Sequence, residues 1–254
     1  MSDNARTRRS FLAGGAGAVT VAGLACLART TAALGSAGDS ATTGTATEST
    51  KKYAVVTLEL KWTKDKEFRE LMTAVIPHLA KHGVTLVRCW ISAIGQYRKV
   101  VSVWEAPSHS DFLAALSDPM LEKYRDPANA LGSATVDFAS LIVRGPKKIS
   151  PDARRHGVIV TGTVTIQPGM VQQFSKILVD SFPTMGRHGV ILEASFHTEV
   201  GNRNRVLDLW WAPDANSVYQ ALSDPVLDAP AVNLDYSSTM AGELVEISTE
   251  LTFP

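Results

Sequence analysis

The stretch HGVTLVRCW at residues 82–90 returns 106 residues later as HGVILEASF at 188–196. The same step carries Phe68 to Phe174, Pro77 to Pro183, Gly95 to Gly201, Trp104 to Trp210 and Pro107 to Pro213. It also carries ALSDP at 115–119 onto ALSDP at 221–225. Aligned without a gap, 68–121 and 174–227 share 17 of 54 residues, too many for chance. A period this long belongs to a duplicated domain rather than to a solenoid unit. Any fold for this chain must therefore be one that a single pattern can build twice, and 254 residues leave room for two cores.

Each copy has the same order of elements. YAVVTLELK at 53–61 alternates and predicts a strand. Phe68, Leu71, Met72, Val75, Ile76 and Leu79 recur at helical spacing, and Pro77 is expected to kink that helix near its end. GVTLVRCWISAI and RKVVSVWEA predict strands joined as a hairpin at Gly95. Ser108 and Asp111 form a start to a second helix that resembles a capping box, with Asp in place of the usual Glu. SATVDFASLIV at 133–143 is the fourth strand. In the second copy the first helix is expected to open at Pro168, a favoured first-turn residue. The order is βαββαβ, the ferredoxin-like arrangement. The first repeat is placed at 53–144, a linker at 145–155 and the second repeat at 156–254.

Ahead of the repeats, Thr7-Arg8-Arg9-Ser10-Phe11-Leu12 and a modest Gly/Ala-rich apolar stretch resemble a twin-arginine export signal. The alternative, a short membrane anchor, asks for a longer and more apolar run. The signal is placed at 1–37, with small-residue cleavage sites after Ala33 or Ala37, and a polar flexible linker at 38–52. The expected location is periplasmic or extracellular, with no stable membrane anchor after cleavage. The twin-arginine route serves proteins that fold before crossing, many of them cofactor-loaded, but it names no cofactor. Cleavage would leave Cys89 as the one cysteine, so no internal disulfide can form. The 25 basic and 25 acidic side chains cancel without a basic stripe, which argues against nucleic acid as a partner.

AIGQYRKVVSVWEAPS at 93–108 and VGNRNRVLDLWWAPD at 200–214 resemble the hallmark segment of the NIPSNAP family, where an Ile-Gly turn leads into a strand ending in Leu-Trp and then a helix. FRELMTAVIPHLAKHG and FSKILVDSFPTMGRHG resemble the family's helix, proline and Lys/Arg-His-Gly turn, and LSDP fits downstream. The wider group is the dimeric α/β-barrel superfamily, which includes cofactor-free monooxygenases, EthD-like proteins, chlorite dismutase and dye-decolourising peroxidases. The resemblance implies two ferredoxin-like sheets closing on each other. Here both come from one chain, so the expected fold is α+β: two tandem ferredoxin-like βαββαβ repeats forming an intramolecular α/β barrel, in a monomer or a homodimer. The acidic motif of the dye-decolourising peroxidases is missing.

Strand alternation assigns faces. Leu86/Leu192, Trp90/Phe196 and Ile94/Val200 on the second strand, with Val101/Leu207 and Val103/Leu209 on the third, are expected to pack on the helices. Leu58/Val164 on the first strand is assigned to the same side. The mixed faces, rimmed by Trp104 and Trp210, are then expected to enclose a cavity, or else to be the solvated side of an open sheet. The candidate ligand-binding residues are Arg98, Ser102, Trp104, Glu193, His197, Asp208 and Trp210, around a small apolar ligand. Glu193, His197 and Glu199 share one strand face, but their spacing suits a polar patch better than one shared ion. His82 and His188 each precede a helix-ending Gly and are expected to cap the last carbonyls, with haem or metal ligation as the alternative. There is no Gly-rich phosphate loop, no HExxH, no CxxC and no GxSxG, so no metal is assigned and no cofactor is named. The function classes left open are an exported binder of a small apolar molecule, an enzyme such as a cofactor-free monooxygenase or a haem oxidoreductase, and a scaffold for a partner protein.

Overall fold

A computed structural model describes residues 51–227 and 238–254. The stretch read as an export signal, and the expected linker as far as residue 50, lie outside the described residues. The first repeat runs β1 (Lys52–Leu60), α1 (Asp65–Ala80), β2 (Thr85–Ile94), β3 (Lys99–Ala106), α2 (His109–Leu116), a 3-10 turn at Pro119–Tyr124, α3 (Arg125–Leu131) and β4 (Gly132–Arg144). A short helix α4 (Pro151–His156) stands in the connection. The second repeat runs β5 (Val158–Ile166), α5 (Val171–Arg187), β6 (Ile191–Val200), β7 (Arg205–Ala212), α6 (Ala215–Leu222) and β8 (Met240–Glu250).

Within the repeats the strands pair antiparallel in the orders β4-β1-β3-β2 and β8-β5-β7-β6. β2 then pairs with β8 and β4 with β6, so eight strands close into one barrel. This is the expected α+β architecture, with each repeat giving its outer strands to the other. Closure leaves no sheet edge unpaired. Two ion pairs lock the seams reciprocally. Arg205 of β7 donates to Asp137 of β4 at 2.9 Å, and Lys99 of β3 pairs with the buried Glu246 of β8. Each acid sits under the hairpin glycine of the opposite repeat. A Cβ at Gly201 would meet Asp137 Oδ1, and one at Gly95 would meet the Glu246 side chain.

Several local signals behave as the sequence suggests, and one at the start of α5 does not. The Ser108 hydroxyl accepts from the Asp111 N–H at 3.1 Å, and Asp214 does the same for Ser217 at 2.7 Å. Pro77 and Pro183 both lie inside their helices. Pro168, however, does not open α5, which begins at Val171. Gly169 intervenes at φ +82°, a left-handed conformation that no helix can pass through.

The face assignment is corrected on two strands. Val101, Val103, Leu207 and Leu209 fill the barrel centre with Trp90 and Phe196, not the helix side. Trp104 and Trp210 face the helices instead, among Phe68 and Met72 in one repeat and Phe174 and Leu178 in the other. Leu58 and Val164 do face the helices, as assigned. In β2 and β6 the register shifts between Leu86 and Arg88 and between Leu192 and Ala194. An extra residue in the ladder reverses every side chain beyond it. Leu86 and Leu192 therefore face the helices, while Trp90 and Phe196, four residues on, point to the centre. Because both faces of each sheet are buried, apolar alternation marks neither as the outer one.

Candidate functional site

The expected tryptophan-lined cavity inside the barrel is replaced by two cavities outside its wall, one between sheet and helices in each repeat. The barrel centre is occupied by packed side chains, with Tyr53 against Phe196 at 5.0 Å. The first-repeat cavity has about 170 Å³ and is bounded by residues such as Phe68, Met72, Val100, Trp104 and Val136. The second-repeat cavity has about 370 Å³ and includes Phe174, Leu178, Met185, Trp210, Val218 and Val245.

The two cavities are built from equivalent positions, so their differences are informative. The 106-residue step places Gly162 where the first repeat has Val56, Ser181 where it has Val75, and Asp208 where it has Ser102. The strand registers add a fourth. Leu58 pairs with Ala134, and its equivalent Val164 pairs with Glu243. The second cavity is thus wider by the lost Val side chain and carries two carboxylates that the first lacks.

Asp208 stands on β7 opposite Gly162 of β5 and Ser195 of β6. It is only 4% exposed, and its Oδ1 has no hydrogen-bond partner. Burial pushes its carboxyl up to about 7; the Ser195 hydroxyl pulls the other way, and Glu243 adds to the rise. Glu243 is open to solvent through the concave wall in which it is set, yet crowding by protein raises its carboxyl too. A Cβ at Gly162 would lie 3.8 Å from both Asp208 Oδ2 and Glu243 Oε1, so both carboxylates border the same missing side chain. In the first repeat the corresponding Ser102 hydroxyl is simply bonded by the Trp104 indole N–H at 2.9 Å.

The seven sequence candidates therefore divide. Asp208 and Trp210 meet in the second cavity, and Ser102 and Trp104 in the first. Glu193 sits at the β6 bulge, where Arg88 at 3.2 Å and Arg154 at 3.3 Å bind it into the barrel seam. Burial raises its carboxyl and Arg88 lowers it. His197 Nε2 lies 2.8 Å from the Arg203 carbonyl oxygen and does not reach a cavity wall. Arg98, at φ +62°, braces the β2–β3 turn by donating to the Leu60 and Lys61 carbonyls and to Asp65. The sequence reading missed Gly162, Ser181 and Glu243. The first two were visible as breaks in the repeat. Glu243 was not, because the step between copies changes before β8.

His82 and His188 do not cap helix carbonyls through their rings. His82 Nε2 lies 2.7 Å from Asp118 Oδ2, and His188 Nε2 lies 2.8 Å from Asp224 Oδ2. Each pair joins the His-Gly turn to the SDP motif of the same repeat and holds that Asp carboxyl below its usual range. No His or Cys lines either cavity among the described residues, and no three His, Cys, Asp or Glu side chains among them cluster to hold a metal ion. Neither cavity therefore offers the imidazole or thiolate that a haem iron takes as its usual axial ligand.

No family model matches the chain, and no curated protein matches it. Solved structures do. A putative monooxygenase from Lactobacillus acidophilus NCFM superposes with a TM-score of 0.58 at 10% identity, over 80% of this chain and 94% of that one. An anthrone oxidase-like protein gives 0.51 at 10% identity, over 81% and 93%. A mutant chlorite dismutase from Candidatus Nitrospira defluvii, in complex with cyanide, gives 0.52 at 10% identity, over 81% and 92%. At such identities the likeness is one of fold, and fold does not carry chemistry across.

Proposed function

From the premise that this chain has the dimeric α/β-barrel fold, closed within one polypeptide, we propose that it binds a small, largely apolar molecule in the second-repeat cavity. The observation that carries this reading is Asp208, buried in a largely apolar wall with its Oδ1 unpartnered, where the other repeat has a satisfied Ser102. A buried acceptor without a partner is costly, and such groups persist where a ligand completes them. The volume sits at the small end of ligand cavities.

The test restores the first repeat's wall. In Gly162→Val the new Cβ meets only ordinary contacts of 3.6–3.8 Å and points the γ-methyls toward the space between Asp208 and Glu243. Binding of the neutral fluorophore N-phenyl-1-naphthylamine should weaken by about tenfold or more, roughly 1.4 kcal/mol. Folding stability should hold or rise by about 0.5–1 kcal/mol, because a strand glycine is replaced by a strand former. Unchanged dye affinity with an intact fold would remove the second cavity as the site.

A second reading is catalytic. A carboxyl near neutrality, beside another carboxylate, suits a general base that takes a proton from an acidic C–H or O–H group. The monooxygenase and anthrone-oxidase names of two structural likenesses agree with it. Oxygen uptake with quinols or phenols, abolished in Asp208→Asn, separates this reading from binding without turnover. The haem reading finds no support in the residues of either cavity. A NIPSNAP-like identity is supported by the His-Gly and SDP motifs, which form the same His–Asp pair in each repeat. Export rests on Arg8 and Arg9. In a twin-arginine host, Arg8→Lys with Arg9→Lys should leave precursor in the cytoplasm, and normal export would reject it.

A further inference from the structure

The wall of the second cavity is electrostatically one-sided. Its polar side chains among the described residues are Asp208, Glu243, Ser181 and the indole of Trp210, and the Ser181 hydroxyl is already committed to the Leu178 carbonyl at 2.7 Å. No Lys, Arg or His lines the cavity among the described residues, and residues 228–237, between α6 and β8, contain none in sequence. Other buried or half-buried acids are answered by cations: Glu246 by Lys99, Glu193 by Arg88 and Arg154, Asp137 by Arg205. At Asp208 and Glu243 the protein supplies two acceptors flanking one gap, and no cation.

We propose that this cavity selects hydrophobic amines, with the ammonium held between Asp208 and Glu243 in the space left by Gly162 and the hydrocarbon body against Phe174, Leu178 and Trp210. This assignment rests on the binding reading above and specifies its ligand class. An ammonium group brings three donors and no acceptor, which matches a wall whose two ionisable groups among the described residues are both acids. Charge-assisted bonds to two carboxylates offset the desolvation of the cation, and an indole face can add a cation–π contact. A carboxylate or phosphate ligand would meet two acids and no cation, and one of those acids, Asp208, is buried, so repulsion disfavours it.

Three probes with one ring separate the possibilities: 2-phenylethylamine, 2-phenylethanol and phenylacetate, titrated calorimetrically into the full chain at pH 8. The amine is still protonated there, its pKa being close to that of a lysine side chain. The amine should bind at least about tenfold tighter than the alcohol, and phenylacetate should not saturate. In Asp208→Asn the preference for amine over alcohol should collapse to roughly threefold or less, while the alcohol still binds. Between pH 8 and pH 6 amine affinity should fall about tenfold in the native protein, because the Asp208 proton must leave before the cation enters, and stay flatter in Asp208→Asn. Glu243 is the other titrating group of this wall among the described residues, and the cavity-facing residues of α5 and α6 contribute none. Equal or tighter binding of the alcohol, preferential binding of phenylacetate, or an amine preference that survives Asp208→Asn would each overturn the assignment. So would the failure of all three probes to bind, in which case the cavity reading still stands or falls on dye binding by Gly162→Val.

Discussion

Residues 51–148, expressed without the second repeat, are expected to dimerise or aggregate, whereas residues 51–254 stay soluble. In the whole chain β2 is covered by β8 and β4 by β6, so cutting between the repeats opens two edges at once. It also uncovers Tyr53, Val55, Trp90, Val101 and Val103, which pack in the barrel centre against Ile159, Phe196, Leu207 and Leu209 of the other repeat. Trp90 and Val103 are fully buried in the intact barrel. Exposure of that much contiguous apolar surface favours association. A second copy of the half-chain presents the same surface and edges, so a homodimer is the expected ordered product. Light scattering after size exclusion decides the matter. A stable monomeric half would mean that the centre-facing residues do not require their counterparts.

Replacing Asp208 by Asn is expected to raise the stability of the ligand-free chain at pH 8 by on the order of 2–4 kcal/mol. The sign follows from the direction of the shift. Burial raises the folded-state carboxyl from 3.8 to about 7, so between those values the folded chain holds a proton that the unfolded chain has released. Stability contributed by that proton is full below the unfolded value, declines as pH climbs, and is gone above about pH 7. An Asn carries no charge to bury, so the gap between variant and native should open from pH 4 to pH 8. Glu243 contributes in the same direction but remains in both proteins. Urea melts at pH 4.5 and pH 8 measure the gap. A residue whose removal stabilises the fold while abolishing amine preference is one retained for its ligand. A variant less stable than native at pH 8 would show that the Asp208 carboxyl is not strained by burial.

Much of the fold was legible because it was written twice. A second copy turns weak local signals into strong ones. The Ser108 helix cap, the hairpin glycine 95 with its counterpart 201, and the fourth strand all appear where the pattern puts them. The copies also held a signal that was overlooked. His82 and Asp118, like His188 and Asp224, are 36 residues apart, and each pair touches. Pro168 misled because its helix-starting preference is local, while the turn at Gly169 is set by the geometry of the chain that follows.

The candidate site was legible by residue and not by place. Asp208 and Trp210 were singled out correctly as neighbours on one face of β7, since alternation along a strand is a local property. Which face pointed to the helices was not local. Both faces of a closed sheet are apolar, and a one-residue bulge at Val87 or Glu193 reverses everything beyond it without a mark in the sequence. The duplication and the βαββαβ order were determined by the sequence, because they follow from periodicity, whereas the closure of two sheets within one chain was implied only by the family resemblance. Only the tertiary structure decided that Trp104 and Trp210 occupy separate cavities, that Gly162 and Glu243 join Asp208, and that Glu193 and His197 stand apart. Those facts depend on strand register and bulge position, which are set by packing between segments that no local sequence pattern relates.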